Sequence, residues 1–193
     1  MAWAPDYVQA LELKAFLRID DTVDDAEVGF AISAASRAVD RAANRQFGLV
    51  AAPEARTYTA RWDKDRCKYV VDIDDLMTVT GLTISTDAAV TDYSLQPSNA
   101  DANGKPWTSI VLNEGGTLTE DGVTVTARYG WTAVPVAVKQ ATLLQASRFF
   151  KRRDAAFGVA GSPELGSELR LLAKVDPDVA VVLGPYQRWW AAA

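Results

Sequence analysis

The chain has 193 residues, 49% of them hydrophobic, which indicates a globular protein with one core or with a core and a subdomain. With no histidine and a single cysteine, Cys67, the sequence excludes histidine-dependent catalysis, an intramolecular disulfide and zinc sites built from cysteine or histidine clusters. A formal net charge of −5 argues against tight DNA binding by the bulk surface, although an acidic wall along a DNA passage is compatible with it.

The N-terminal quarter of the chain has the apolar spacing of helices. Residues 8–18 predict a short helix, and an acidic segment follows in which Thr22, with Asp25 three residues later, resembles a capping box. The next helix would stop near Gln46, with Gly48 as its terminator. Its apolar stripe, at spacings of three and four residues, consists of Val28, Ile32, Ala35, Val39 and Ala42.

Residues 56–130 alternate apolar and polar side chains with period two and predict short strands. The candidates are residues 56–60, 69–73, 79–85, 93–96, 107–112 and 123–129. The strands at 93–96 and 107–112 predict a hairpin, and Asp121-Gly122 is a second hairpin signal.

The C-terminal third returns to helical spacing. Pro135 suits the first turn of a helix that runs to about Arg153. Apolar residues wrap much of this helix, so either it is central to its own fold or a second chain covers it. Residues 155–167 predict a mobile loop, and short helices are predicted at 164–174 and 177–183.

Helices at both ends with strands between them predict an α+β fold. The N-terminal part (residues 1–54) and the C-terminal part (132–193, with the mobile loop 155–167 and a C-terminal tail) would form a helical bundle body. Residues 55–131 would form an inserted antiparallel β subdomain.

The residues offer little chemistry for catalysis or for binding a cofactor or a metal. Asp72, Asp74 and Asp75 follow a strand and could hold a divalent cation, but a solvated turn at the strand end is the favoured interpretation. No apolar run approaches the roughly 20 residues of a membrane-spanning helix, and the N-terminus lacks the features of a secretory signal. We therefore predict no catalytic residue, no cofactor, no metal site and no membrane contact.

Basic and aromatic residues near the C-terminus are the candidates for partner contact. The basic run 151–153 can stabilise a helix end or contact phosphate or an acidic protein face. Adjacent tryptophans near the terminus either fold back onto the core or anchor a partner. The predicted contact set is Arg148, Lys151, Arg152, Arg153, Tyr186, Arg188, Trp189 and Trp190.

Three blocks of the sequence together resemble the head-to-tail connector, or adaptor, proteins of long-tailed bacteriophages. The first comprises residues 11–19 (LELKAFLRI), 31–40 (AISAASRAVD) and 44–47 (NRQF); the second comprises 128–131 (RYGW), 134–141 (VPVAVKQA) and 148–154 (RFFKRRD); the third comprises 176–179 (DPDV) and 183–188 (LGPYQR). The β insertion resembles the version found in phages of actinobacteria.

The resemblance implies a structural, non-enzymatic virion protein located in the neck and assembled in the host bacterial cytoplasm. Such proteins form a ring, expected to be a dodecamer, below the portal protein. The ring extends the DNA channel, through which the genome passes without tight binding, and docks a downstream neck or tail-completion protein.

Other classes of protein remain open at the level of sequence. One alternative is another neck or tail protein, such as a completion or terminator protein. A second is a carbohydrate- or receptor-binding module in which Tyr93, Trp107 and Trp131 form an aromatic platform. A third, an enzyme that uses carboxylates alone, would need a buried carboxylate pair in a cleft.

Overall fold

The computed structural model describes residues 4–113, 121–152, 159–160, 169–170 and 176–189. These residues contain four α-helices, two four-stranded antiparallel sheets and a two-stranded ribbon, so the predicted α+β class is confirmed. The chain divides into two compact units. Residues 1–47 and 134–193 form one, called here the helical unit, and residues 48–133 form the other, called the β unit.

The helical unit contains α1 (Ala10–Leu17), α2 (Asp25–Ala43), α3 (Val136–Arg152) and α4 (Pro177–Leu183), followed by a 3-10 turn (Gly184–Tyr186). The predicted helices at 8–18, at the 28–42 stripe, after Pro135 and at 177–183 are therefore confirmed. Val28, Ile32 and Ala35 of α2 are buried, and they pack in one apolar cluster with residues of α1 and α3. The other buried members of that cluster are Val8, Leu13, Ala31, Ala146 and Phe150.

The helix ends differ from the sequence prediction. The capping box at Thr22 and Asp25 is wrong, because Asp24 is the N-cap of α2 and Thr22 takes part only through its carbonyl oxygen, which accepts from Asp25 N (3.4 Å). Helix α2 also ends before Gln46 and Gly48, because Asn44 adopts a left-handed conformation (φ 52°) that breaks the helix at Ala43.

The predicted apolar stripe of α2 ends at Ala42, but the structure buries the next residue, Ala43, more completely than Ala42, which is half-buried. A side chain does bond to the backbone at the start of α1. There Glu12 Oε2 accepts a hydrogen bond from Gln9 N (2.7 Å), and this bond lowers the pKa of Glu12.

The strands of the β unit form two sheets in which all neighbours are antiparallel. They are β1 (Glu54–Tyr58), β2 (Ala60–Asp63), β3 (Lys68–Leu76), β4 (Thr83–Ser85), β5 (Ala89–Val90), β6 (Tyr93–Gln96), β7 (Trp107–Leu112) and β8 (Val123–Ala127). One sheet has the order β2-β3-β7-β6 and the other the order β1-β8-β4-β5. The hairpin predicted at 93–96 and 107–112 is confirmed, with Tyr93 paired opposite Leu112.

The hairpin predicted at Asp121-Gly122 is wrong. Strand β8 lies between β1 and β4, so β7 and β8 belong to different sheets. Asp121 has a left-handed backbone (φ 52°), but its carboxylate accepts from Thr59 Oγ1 (3.1 Å), and Thr59 Oγ1 accepts from Asp121 N (3.0 Å). Asp121 therefore contacts Thr59, the residue that follows β1, and does not form a hairpin turn between β7 and β8.

A short ribbon replaces part of the helix predicted at 164–174. Val159–Ala160 (β9) pairs antiparallel with Leu169–Arg170 (β10), so residues 169 and 170 are extended rather than helical. The remaining residues of the predicted helix lie outside the described residues. The same holds for the predicted mobile loop 155–167, except for β9.

Gly130 lies where three segments of the β unit meet. Its N–H donates to Asp75 O (2.6 Å), and it forms bridges with Leu49 and Leu76. Its φ of 108° disfavours any residue with a side chain, and a Cβ at this position would lie 1.8 Å from Gly48 O. Backbone approach this close therefore requires glycine.

We expect Gly130→Ala to lower the free energy of unfolding by roughly 2–4 kcal/mol, because the new methyl group forces the crossing segments apart. Gly104→Ala is the matched control, since Gly104 also has a positive φ (61°) but nothing lies within 4 Å of its Cβ position. We expect that control to cost about 1 kcal/mol. Urea unfolding monitored by tryptophan fluorescence measures both, and equal costs would contradict the steric argument.

Candidate functional site

The C-terminal segment caps the end of α2. Arg188 N donates to Ala43 O (2.9 Å), and Asn44 Nδ2 donates to Arg188 O (3.0 Å). The side-chain amide of Gln187 donates to Ala42 O (3.3 Å). Residues about 145 positions apart in sequence thus satisfy carbonyl groups that a helix end leaves without partners.

Two members of the predicted contact set take part in this capping region. Arg188 is buried, with 8% of its surface exposed, and Tyr186 packs edge-on against Phe47 with the ring centroids 5.9 Å apart. Phe47 in turn contacts Tyr7 (5.7 Å). The structure therefore uses Tyr186 and Arg188 inside the helical unit, and contact with another protein through them stays a prediction.

Arg148 joins α3 to α4. Its guanidinium lies 2.6 Å from the carboxylate of Asp176, which is the N-cap of α4 and accepts from Asp178 N (2.9 Å). The Arg148 and Asp176 side chains are about three-quarters buried, so the ion pair is shielded from solvent. Arg148 is therefore engaged in an ion pair within the helical unit.

The other predicted contact residues differ in exposure. Lys151 is exposed, Arg152 is half-buried, and Trp189 is 86% exposed. Arg153 and Trp190 lie outside the described residues. Of the described members of the set, Lys151 and Trp189 are the exposed ones.

A polar cluster that the sequence analysis missed fastens the N-terminal segment to α2. Tyr7 Oη donates to Asp40 and accepts from Phe47 N (2.9 Å), and Tyr7 N donates to Ser36 Oγ (3.2 Å). Arg37 pairs with Asp40 (3.2 Å). Sequence spacing does not predict this contact, because Tyr7, which precedes α1, and Asp40, on the polar side of α2, are 33 residues apart.

Burial perturbs both ends of the Tyr7–Asp40 hydrogen bond. Desolvation raises the pKa of the Tyr7 hydroxyl, and its bond to Asp40 raises it further. Desolvation also raises the pKa of Asp40, while the bond from Tyr7 and the charge of Arg37 oppose that rise. The cluster therefore holds a carboxylate in a place that disfavours its charge.

An open apolar groove of about 290 Å³ lies between α2 and the end of α3. Its lining residues are Glu27, Phe30, Ala31, Ala34, Phe149 and Phe150. Phe30 is 76% exposed, which is unusual for so large an apolar side chain on a regular helix. The groove is thus a candidate contact surface that the buried-stripe pattern of α2 did not reveal.

The described residues of the β unit form neither the divalent-cation site nor the aromatic platform that the sequence analysis raised as possibilities. Among the described residues no group of three or more acidic or cysteine side chains could hold a metal ion. Asp74 bonds to Arg56 and Tyr58, and buried Asp75 accepts from Trp131 Nε1 (2.9 Å). Trp131 is 3% exposed and cannot stack on a sugar.

The other two platform residues are also far apart. In the β6–β7 hairpin Tyr93 pairs opposite Leu112, whereas Trp107 is at the other end of β7, about 17 Å along the strand at 3.4 Å per residue. Trp107 and Tyr93 are both half-buried. The aromatic platform is therefore not formed.

The net charge is unevenly distributed along the chain. The β unit contains 12 acidic and 7 basic residues, whereas the helical unit contains 13 of each, so the net charge of −5 belongs to the β unit. The helical unit therefore carries no net formal charge. In the described part of the chain no helix has the length and apolar character needed to cross a membrane.

Comparison with known proteins found a matching family model and a similar fold. A family model described as "Head completion protein" matches residues 8–188. The fold is similar to that of a chain in the structure "Neck of empty GTA particle computed with C6 symmetry", with 18% sequence identity and a TM-score of 0.59 over 100% of this chain and 95% of that one. No curated protein sequence matches this chain at a significant level.

We expect Arg148→Gln to loosen α4, because it removes the shielded ion pair with the N-cap residue Asp176. The expected loss is about 1–2 kcal/mol in the local opening free energy of the α4 amides, measured by hydrogen exchange. Lys151→Gln, one turn further along α3 and exposed, is the control and should leave α4 protection unchanged. Equal protection in the two variants would show that the ion pair does not hold α4.

We expect Tyr7→Phe to destabilise the protein by about 1–3 kcal/mol at neutral pH, because the loss of the hydroxyl leaves Asp40 and Phe47 N without that partner. Burial raises the folded pKa of Asp40 above its unfolded value, so stability falls as pH rises from the unfolded pKa through the folded one. Tyr7→Phe removes a hydrogen bond that favours the ionised form of Asp40, so it raises the folded pKa of Asp40 further. The loss of stability caused by the mutation should therefore grow with pH.

Urea unfolding from pH 4 to pH 8 measures this difference. Tyr93→Phe, which alters a half-buried tyrosine of β6, serves as the control and should show a cost independent of pH. A Tyr7→Phe cost that is constant or shrinks with rising pH would contradict the role assigned to Asp40.

Proposed function

Because the chain belongs to the head completion protein family, we propose that it is a head-to-tail adaptor that forms a ring below the portal of a phage particle. The observation that carries this proposal is the family match over residues 8–188, which spans both units. Membership of this family confirms the predicted class of protein, a structural phage connector or completion protein. Its place is the virion neck, between head and tail.

The proposed ring has support from the similar fold. The neck that contains the similar chain was computed with C6 symmetry, which repeats each of its parts around an axis. A ring of twelve copies, as expected from the resemblance to adaptors, is compatible with sixfold symmetry. On this proposal the ring contacts the portal on one side and a downstream neck or tail-completion protein on the other.

We assign the helical unit the role of the adaptor body. Its helices α1, α2 and α3 share one apolar cluster, and α4 is joined to α3 by the Arg148–Asp176 pair. This arrangement, drawn from both ends of the sequence, supports the proposed helical bundle with an inserted β subdomain. Lys151 and Trp189, the most exposed described members of the predicted contact set, are the proposed contacts to portal or neck partners.

The charge distribution supports passage of DNA without tight binding. The excess of acidic residues in the β unit repels phosphate, whereas the helical unit has no net charge with which to attract it. A non-enzymatic role is consistent with a family defined by head completion.

The test is the native mass of the purified chain, alone and mixed with portal rings from the same genome. We expect either a ring by itself or a complex of many copies with the portal. A chain that stays monomeric and does not bind the portal would contradict the adaptor proposal.

The same measurement tests the proposed contact residue Trp189. We expect Trp189→Ala to weaken portal binding roughly tenfold or more, as loss of an aromatic anchor does. Val181→Ala, which trims a side chain of α4 that is 77% exposed, is the matched control and should bind like the parent chain. Equal binding by both variants would remove Trp189 from the contact.

A further inference from the structure

The groove of the helical unit faces away from α1. Asp25 of α2 pairs with Lys14 of α1 (2.7 Å), which fixes the side of α2 that α1 occupies. At 100° per residue, Phe30 and Ala34 point about 140° to 180° away from Asp25. The groove and α1 therefore lie on different sides of α2.

The outward face of α1 is itself apolar and exposed. Leu13 and Lys14 are the buried residues of α1, whereas Leu11 and Ala15, four residues apart, form an exposed stripe about 160° from Leu13. Leu11 is 76% exposed. The stripe ends in the exposed cation Arg18 at the C-cap of α1.

The two surfaces match in chemistry. Phe30, Ala34 and Phe149 of the groove are apolar, and exposed Glu27 gives its rim a negative charge. Along the α1 stripe, apolar Leu11 and Ala15 are followed by the positive charge of Arg18. An apolar side chain can enter the groove while Arg18 approaches Glu27, and the zero net charge of the helical unit leaves no net repulsion between the helical units of two copies.

We propose that the groove between α2 and α3 binds the outward face of α1 from a second copy of this chain. Because the groove and the α1 stripe are different surfaces on different sides of α2, the contact is heterologous and repeats from copy to copy until a ring closes. The proposal rests on the adaptor function proposed above and names its lateral contact. Leu11 is the side chain that enters the groove, and the Arg18–Glu27 pair sets its register.

Cross-linking between defined positions tests this contact. In a Cys67→Ser background, Leu11→Cys and Ala34→Cys each place one thiol on one of the two surfaces, and both sites are exposed. We expect a short bis-maleimide to give covalent dimers when the two variants are mixed and little dimer from either variant alone. A chain that carries both cysteines should give a ladder of species up to the closed ring.

The native mass is recorded before cross-linking, in the presence of portal rings if the chain assembles only with them. Assembled rings that yield no product in the mixture would overturn the proposed contact while leaving the ring itself intact. Efficient dimers from either single variant would also overturn it, because they indicate a two-fold contact. If no ring forms under either condition, both the contact and the adaptor function fail.

Substitutions on the two surfaces give an independent result. We expect Phe30→Asp and Leu11→Asp each to raise the concentration needed for assembly roughly tenfold or more. Arg18→Glu and Glu27→Arg should each weaken assembly, and the double variant should restore it. Val181→Asp, at an exposed site outside both surfaces, should assemble like the parent chain.

Loss of portal binding in Phe30→Asp, with unchanged association between copies, would show that the portal occupies the groove. That outcome would overturn the proposal. Failure of the double variant to restore assembly would remove the Arg18–Glu27 pair from it.

Discussion

The packing of α2 against α3 is the interaction on which the helical unit depends. The apolar cluster that they share also receives α1, and it joins segments that the whole β unit separates in sequence. Most of the stability of a helix in a protein comes from packing of its amphipathic face rather than from intrinsic helix propensity, so each of the two helices needs the apolar face of the other. The ends of the chain therefore fold as one body although the middle folds as another.

Polar contacts then fix details that apolar packing leaves open. Tyr7 and Asp40 hold the N-terminal segment on α2, Arg148 and Asp176 hold α4 on α3, and the backbone near Arg188 completes the C-terminal end of α2. Each of these contacts is partly or fully buried, where a hydrogen bond to a charged group contributes more than at the surface. Arg148 and Arg188, two members of the predicted contact set, are in this way used within the chain.

The surfaces that remain exposed are more informative about assembly than the basic residues are. Phe30, Leu11 and Trp189 each expose about three-quarters or more of their surface on a unit with no net charge. Large exposed apolar side chains are typical of contact surfaces, and a ring uses two different ones on each copy. The family and the exposed faces thus both support the proposed structural role, in which the protein works through association.

The sequence by itself determined the α+β class, the helices at both ends, the β6–β7 hairpin and the absence of histidine chemistry. These follow from periodicity and composition, which are local properties of the chain. Only the tertiary structure decided that β8 pairs with β1 and β4, that Asn44 ends α2, and that Arg148 and Arg188 are bonded inside the helical unit. Those outcomes depend on partners far away in sequence, and the local pattern around a residue does not indicate which distant group that residue will contact.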